Sequence, residues 1–154
     1  MKNIKKILSM VLVLAMVVAM TACSGSGGDS EGGDGGDGYR VAFIARASAD
    51  TFAAWLTREM QSEAEKYDDI TLEYFSGEGD NNQVNSLLED CVTKQYDLVI
   101  VQVNDNAASA PYVKQVVDAG IPVITTNPAV HQGDLDGTDD DSLLEGTGTV
   151  DADP

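Results

Sequence analysis

Four short, nearly uninterrupted apolar segments recur between residues 39 and 125, and the segment between each pair carries a helical stripe. Few folds accommodate that alternation. Tyr39–Ala45 (YRVAFIA) is almost continuous in apolar and β-favouring residues, as a strand buried on both faces must be. From Asp50 to Tyr67 the period changes: Phe52, Trp55, Leu56, Met60, Ala64 and Tyr67 recur at three- and four-residue steps, which predicts a helix. Ile70–Phe75 reads as a second strand and leads into a loop, Ser76-Gly-Glu-Gly-Asp80. Asn81 or Asn82 is then the expected cap of a helix whose stripe is Val84, Leu87, Leu88, Cys91 and Val92. Asp97–Val103, the most apolar run, is a third strand. Tyr112, Val113, Val116 and Val117 mark a third helix, closed at Ala119-Gly120 by a left-handed glycine. Ile121–Thr125 is a fourth strand, and a fifth is expected to start near Gly148.

Successive β–α units predict an α/β fold: an open parallel sheet with right-handed crossovers and helices on both faces. The expected strand order is 2-1-3-4-5. In such sheets ligands lie beyond the carboxyl ends of the strands, near the point where the strand order reverses. The candidate site is therefore made of residues 46–52, 77–82, 102–106 and 126–128. Asp50, Asn81, Gln102, Asn104, Asp105 and Asn127 supply donors and acceptors there, Phe52 and Trp55 supply aromatic surface, and Arg46 is the only cation. Such a set suits a neutral polyhydroxylated solute: amides and carboxylates bond its hydroxyls, and an aromatic face packs on its C–H groups. It suits phosphate badly.

Composition removes other functions. Beyond Cys23 six basic residues face 26 acidic ones, a balance of −20 that repels a phosphate backbone, so no nucleic-acid partner is expected. Two cysteines and the single His131 provide neither a Cys nor a His metal cluster, and no cofactor is called for. Cys91 falls on an apolar stripe and reads as a buried thiol. Gly77-Glu-Gly79-Asp-Asn-Asn82 lacks the third glycine of a dinucleotide loop and follows the wrong strand. No nucleophile elbow or acid–base pair is present, so no enzyme activity is expected.

The chain opens with three lysines, an apolar run from Ile7 to Met20, and Met20-Thr21-Ala22-Cys23. The run fits the core of a secretory signal, and the ending resembles a bacterial lipobox with Met20 where leucine is usual. Residues 1–22 are then a lipoprotein signal peptide and Cys23 the lipidated residue. Ser24–Gly38 holds eight Gly, three Ser, three Asp and one Glu, a flexible tether. Residues 39–154 form the folded part. An extracytoplasmic, lipid-anchored location at the cell membrane follows.

The segment from Tyr39 to Pro128 resembles the N-terminal lobe of sugar-type solute-binding proteins of ABC transporters, the type 1 periplasmic-binding fold. Val41-Ala-Phe-Ile, Asp50-Thr-Phe52, Gly79-Asp-Asn-Asn-Gln83, Leu98-Val-Ile-Val-Gln-Val-Asn-Asp105 and Ala119-Gly-Ile-Pro-Val-Ile-Thr125 carry the resemblance, in that order. It implies capture of a sugar or similar polyol for an ABC permease. It also implies that Asp50 and Phe52 grip the sugar from the first loop, that Gln102 stands where an asparagine often bonds a ring hydroxyl, and that Asp105 and Asn127 complete the ligand-binding set. Asn127 replaces a common aspartate and Pro128 the arginine of ribose-type members, which argues against ribose. Trp55, one turn further on, reads as core. Members of that family carry two lobes, so this chain reads as one incomplete lobe, a fragment or a shortened product. Alternatives are a sensor lipoprotein presenting its ligand to a receptor kinase or chemoreceptor, or a lobe with no ligand.

Residues 130–147 read as a solvated acidic loop. Asp134, Asp136 and Glu145 occupy positions 1, 3 and 12 of a calcium-loop register, but Asp139 replaces the turn glycine and Asp141 the apolar position. No specific metal site is expected.

Overall fold

The structure, a computed structural model, describes residues 38–150. The signal segment, Cys23, the tether up to residue 37 and residues 151–154 lie outside the described residues. The strands are β1 (Tyr39–Ala45), β2 (Ile70–Ser76), β3 (Leu98–Val101), β4 (Val123–Thr126) and β5 (Thr147–Val150). The helices are α1 (Thr51–Ala64), α2 (Asn81–Lys94), α3 (Asn106–Asp118) and the short α4 (Gln132–Asp136). All pairings are parallel and the order is β2-β1-β3-β4-β5, as the sequence predicts.

The register sorts the core onto two faces. Phe43 pairs with Tyr74 of β2 and Ile100 of β3, so the three share a face with Ala45 and Leu72. Here α1 docks, burying Ala53 and Leu56 beside Phe43 and Ala45 and packing Trp55 and Met60 against that cluster. The opposite face presents Ala42, Ile44, Val99, Val101 and Val123 to α2 and α3, whose Val84, Leu88, Cys91, Val113 and Val116 are essentially fully buried. Burial on both faces accounts for the unbroken apolarity of β1, residues 41–45 of which are 0–6% exposed. Burial also pushes the Cys91 thiol up to about 12, so at neutral pH it is protonated and serves as a small apolar side chain.

Each long helix starts on an aspartate. Asp50, Asp80 and Asp105 accept hydrogen bonds from the backbone N–H groups of Ala53 (2.8 Å), Asn82 (2.8 Å) and Ala108 (2.9 Å). For α2 this corrects the expected cap: it is Asp80, and Asn81 and Asn82 are already helical. The first helix ends three residues earlier than its apolar spacing predicts, and Tyr67 is 49% exposed in the turn beyond it. Gly120 closes α3 at φ +85°, as expected.

The acidic stretch is more ordered than a solvated loop. Val130 and Leu144 are fully buried, joined by a Leu144 N–H bond to the Val130 carbonyl, and α4 lies between them. Asp136 accepts from the N–H and hydroxyl of Thr138, and Asp140 from the N–H of Ser142, so these carboxylates brace local turns. Among the described residues, no group of three or more His, Cys, Asp or Glu is arranged to hold a metal ion.

At the opposite end of the sheet Arg40, Glu73 and Tyr96 form a compact network. Glu73 accepts from Arg40 Nη2 (2.8 Å) and from the Tyr96 hydroxyl (2.5 Å), while the guanidinium lies 4.6 Å from the Tyr96 ring centre. Burial alone would raise the Glu73 carboxyl, but these two donors outweigh it and hold it below its usual range.

Gly77 marks the tightest point near the candidate site. A Cβ there would sit 2.3 Å from Val84 Cγ2 and 3.0 Å from the Arg46 carbonyl oxygen. Gly77→Ala is therefore expected to destabilise the fold by about 1–3 kcal/mol, measured as a lower midpoint in urea unfolding; an unchanged midpoint would show that the β2–α2 turn yields freely.

Candidate ligand-binding site at the carboxyl edge of the sheet

Strand order reverses between β1 and β3, and the loops expected to form the site gather at the carboxyl ends of these strands and their neighbours. Backbone bonds register them on β1. The N–H groups of Gly77 and Gly79 donate to the carbonyls of Ala45 and Arg46, and the Gln102 N–H donates to Ile44. Side chains add further ties. Ser76 Oγ accepts from the N–H of Ser48 at 3.0 Å, and Ser48 Oγ donates to Glu78, joining the first two loops. Asn106 Nδ2 donates to the Ala129 carbonyl (2.7 Å), and Asn85 Nδ2 to that of Ala108 (3.2 Å). Four loops are thus held as one surface.

Three of the expected residues fall into one hydrogen-bonded group. Gln102 is fully buried, and its Oε1 accepts the Arg46 N–H at 3.4 Å; that donor fixes which way the carboxamide faces. Arg46 Nη2 reaches Asp50 Oδ2 at 3.0 Å. The other oxygen of Asp50 caps α1, and the Ala53 N–H, aided by Arg46, holds this carboxyl below its ordinary range. Phe52 lies half-buried in the first turn of α1, 5.5 Å from the ring of Trp55. Trp55 itself combines the two readings: it packs on the α1 core yet lines an open cavity of about 700 Å³ with Phe52, Thr51, Ala54 and Arg58. Asp105 stands apart from the Arg46 group, and its carboxylate faces its own helix as the cap of α3. Asn127 follows β4 directly, at φ +35°, a backbone region that asparagine tolerates better than most residues.

A further feature at this end is not legible in the sequence. Gln102 Nε2, Asn104 Nδ2, Asn81 Oδ1, Asn106 Oδ1 and Thr126 Oγ1, with Asn85 Oδ1 and Ser109 Oγ in the adjoining helices, are buried and have no hydrogen-bond partner among the described residues. A buried polar atom left unpaired costs about 1–3 kcal/mol, a cost that ordered water commonly offsets. All of them are neutral, and donors and acceptors are mixed. Loop composition pointed toward such chemistry; the burial that makes it consequential appears only in three dimensions.

A parallel sheet in the order β2-β1-β3-β4-β5, with helices on both faces, is the architecture of one lobe of a periplasmic-binding-protein-like fold. The chain belongs to the periplasmic binding protein domain family, whose model matches residues 41–143. Among solved structures it is similar to an ABC transporter solute binding protein from Bacillus halodurans C-125 with bound myo-inositol, at 27% identity and a TM-score of 0.57, over 66% of this chain and 35% of that one. A carbohydrate transporter from Acidothermus cellulolyticus 11B in complex with myo-inositol is 33% identical, with a TM-score of 0.53 over 58% and 31% of the two chains. The fructose binding periplasmic domain of a hybrid two component system shares the fold, at 21% identity and a TM-score of 0.60 over 73% and 33%. The chain spans about a third of each of these structures. No curated protein matches it.

The capping role of Asp105 yields a test. Asp105→Ala should lower stability by about 1 kcal/mol, while Asp105→Asn, which keeps the accepting oxygen, should stay within a few tenths of wild type. Thermal unfolding followed by circular dichroism measures both, and equal losses would show that the cap is not what holds the start of α3.

Proposed function

We propose that this protein is an extracytoplasmic solute-binding lipoprotein that captures a neutral sugar or cyclitol-like polyol and delivers it to an ABC permease. The observation carrying this reading is the family match over residues 41–143, together with the neutral amides and hydroxyls that the loops at the carboxyl edge of the sheet supply. A polyol hydroxyl both donates and accepts, so it satisfies either kind of group, and its C–H face packs on an aromatic ring. In this reading Asp50, Phe52, Gln102, Asp105 and Asn127 form the ligand-binding set. Myo-inositol in the two similar structures at 27% and 33% identity supports that ligand class. Binding makes and breaks no covalent bond, so no catalytic residue is assigned.

Calorimetric titration of the chain with myo-inositol, ribose and fructose tests the proposal. Saturable heat with at least one of them is expected, and Phe52→Ala should weaken that binding by about 1–3 kcal/mol. Absence of saturable binding across the panel would sink the polyol reading, whereas unchanged affinity in Phe52→Ala would remove only that residue from the site.

The anchoring half of the proposal rests on Met20-Thr21-Ala22-Cys23 and on the glycine-rich stretch after it. Intact mass of the protein from the membrane fraction of its host should show cleavage before Cys23 and a diacylglyceryl adduct on that residue. Cys23→Ser should move the protein to the soluble fraction; retention in the membrane would refute lipid anchoring.

A further inference from the structure

Arg46 is the one basic residue in the four loops at the carboxyl edge; the other basic residues beyond Cys23 are Arg40, Arg58, Lys66, Lys94 and Lys114. It follows β1 directly, at the switch point, and its N–H is bonded to the buried Gln102 carboxamide. A free guanidinium at such a position would be a strong fork for a phosphate ester or carboxylate. Here it is not free. Its Nη2 lies 3.0 Å from Asp50 Oδ2, and Asp50 is itself locked by its bond to the Ala53 N–H. The two side chains are 32% and 33% exposed, so the pair is open to a ligand yet partly shielded from salt. Glu78, bonded to Ser48 on the adjoining loop, and Asp80 and Asp105 at the neighbouring helix starts add only negative charge.

We infer that Asp50 determines charge specificity: its ion pair with Arg46 cancels the only cation of the four loops, while Arg58, on the outer side of α1, lies beside Glu59, so that the site accepts a neutral polyol and rejects its phosphorylated counterpart. This inference rests on the polyol reading above and assigns Asp50 a role beyond contact with the ligand. It follows that specificity is inverted by removing one charge. Asn is as good a helix cap as Asp, so Asp50→Asn releases the guanidinium while keeping the start of α1.

The test is calorimetric titration of the wild-type chain, Asp50→Asn, Asp50→Ser and the double variant Arg46→Gln/Asp50→Asn with myo-inositol and myo-inositol 1-phosphate, each variant first shown to be folded by circular dichroism. Asp50→Ser, also a good cap, keeps the experiment informative if Asp50→Asn does not fold. Wild type is expected to bind myo-inositol at least tenfold more tightly than the phosphate ester. The single variants should gain at least tenfold affinity for the ester, and the double variant should lose that gain. Wild-type affinity for the ester equal to that for inositol would overturn the inference, as would single variants that bind inositol but gain nothing for the ester, or a gain that survives loss of Arg46; each leaves the polyol reading standing. Failure of wild type to bind either compound would instead overturn inositol as the ligand, and the inference with it.

Discussion

The arrangement depends on β1 being buried on both faces and bonded on both edges. Because Phe43 and Ala45 face α1 while Ala42 and Ile44 face α2 and α3, the strand has no freedom to slip by one residue without exposing one core and overfilling the other. Its last carbonyls then act as fixed points. Ile44 holds the residue that begins the third loop, and Ala45 and Arg46 hold the turn around Gly77. The geometry of the binding edge is therefore set by a hydrophobic register several residues away from it.

That dependence also explains what the sequence shows and what it hides. β1 is readable to the residue, because a run of apolar residues bounded by Gly38 and Arg46 has one way to be buried. β3 and β4 are shorter than their apolar runs: Gln102 and Val103 are buried, like the strand before them, yet lie beyond the ladder, and burial rather than pairing is what apolarity records. The end of α1 departs from its apolar spacing for a related reason. Tyr67 has helical spacing, but the chain leaves the helix at Glu65 and the ring stays largely in water. Asp80, Asn81 and Asn82 are all competent caps, and composition cannot choose among adjacent ones.

At the candidate site the loops and the polar character were legible, whereas the linkages were not. Nothing in the sequence states that Gln102 is fully buried, that its oxygen is already occupied by Arg46, or that Arg46 is neutralised four residues on. These are pairwise facts between segments up to 56 residues apart. The acidic stretch shows the same limit. Val130 and Leu144 carry no periodic signal, yet their burial brings both ends of an otherwise polar segment against the core, and Asp136 and Asp140 are absorbed by local turns.

Asp50, Asp80 and Asp105 each start a helix at the carboxyl edge of the sheet, and this limits how that edge can vary. A mutation at any of the three alters the charge of that edge and the stability of a helix at once, so viable replacements are confined to the few residues that also cap. Gln102 and Asn104 support no helix start. Gln102 is constrained in another way, by full burial and by its bond to the Arg46 N–H, so that edge varies freely at neither kind of position.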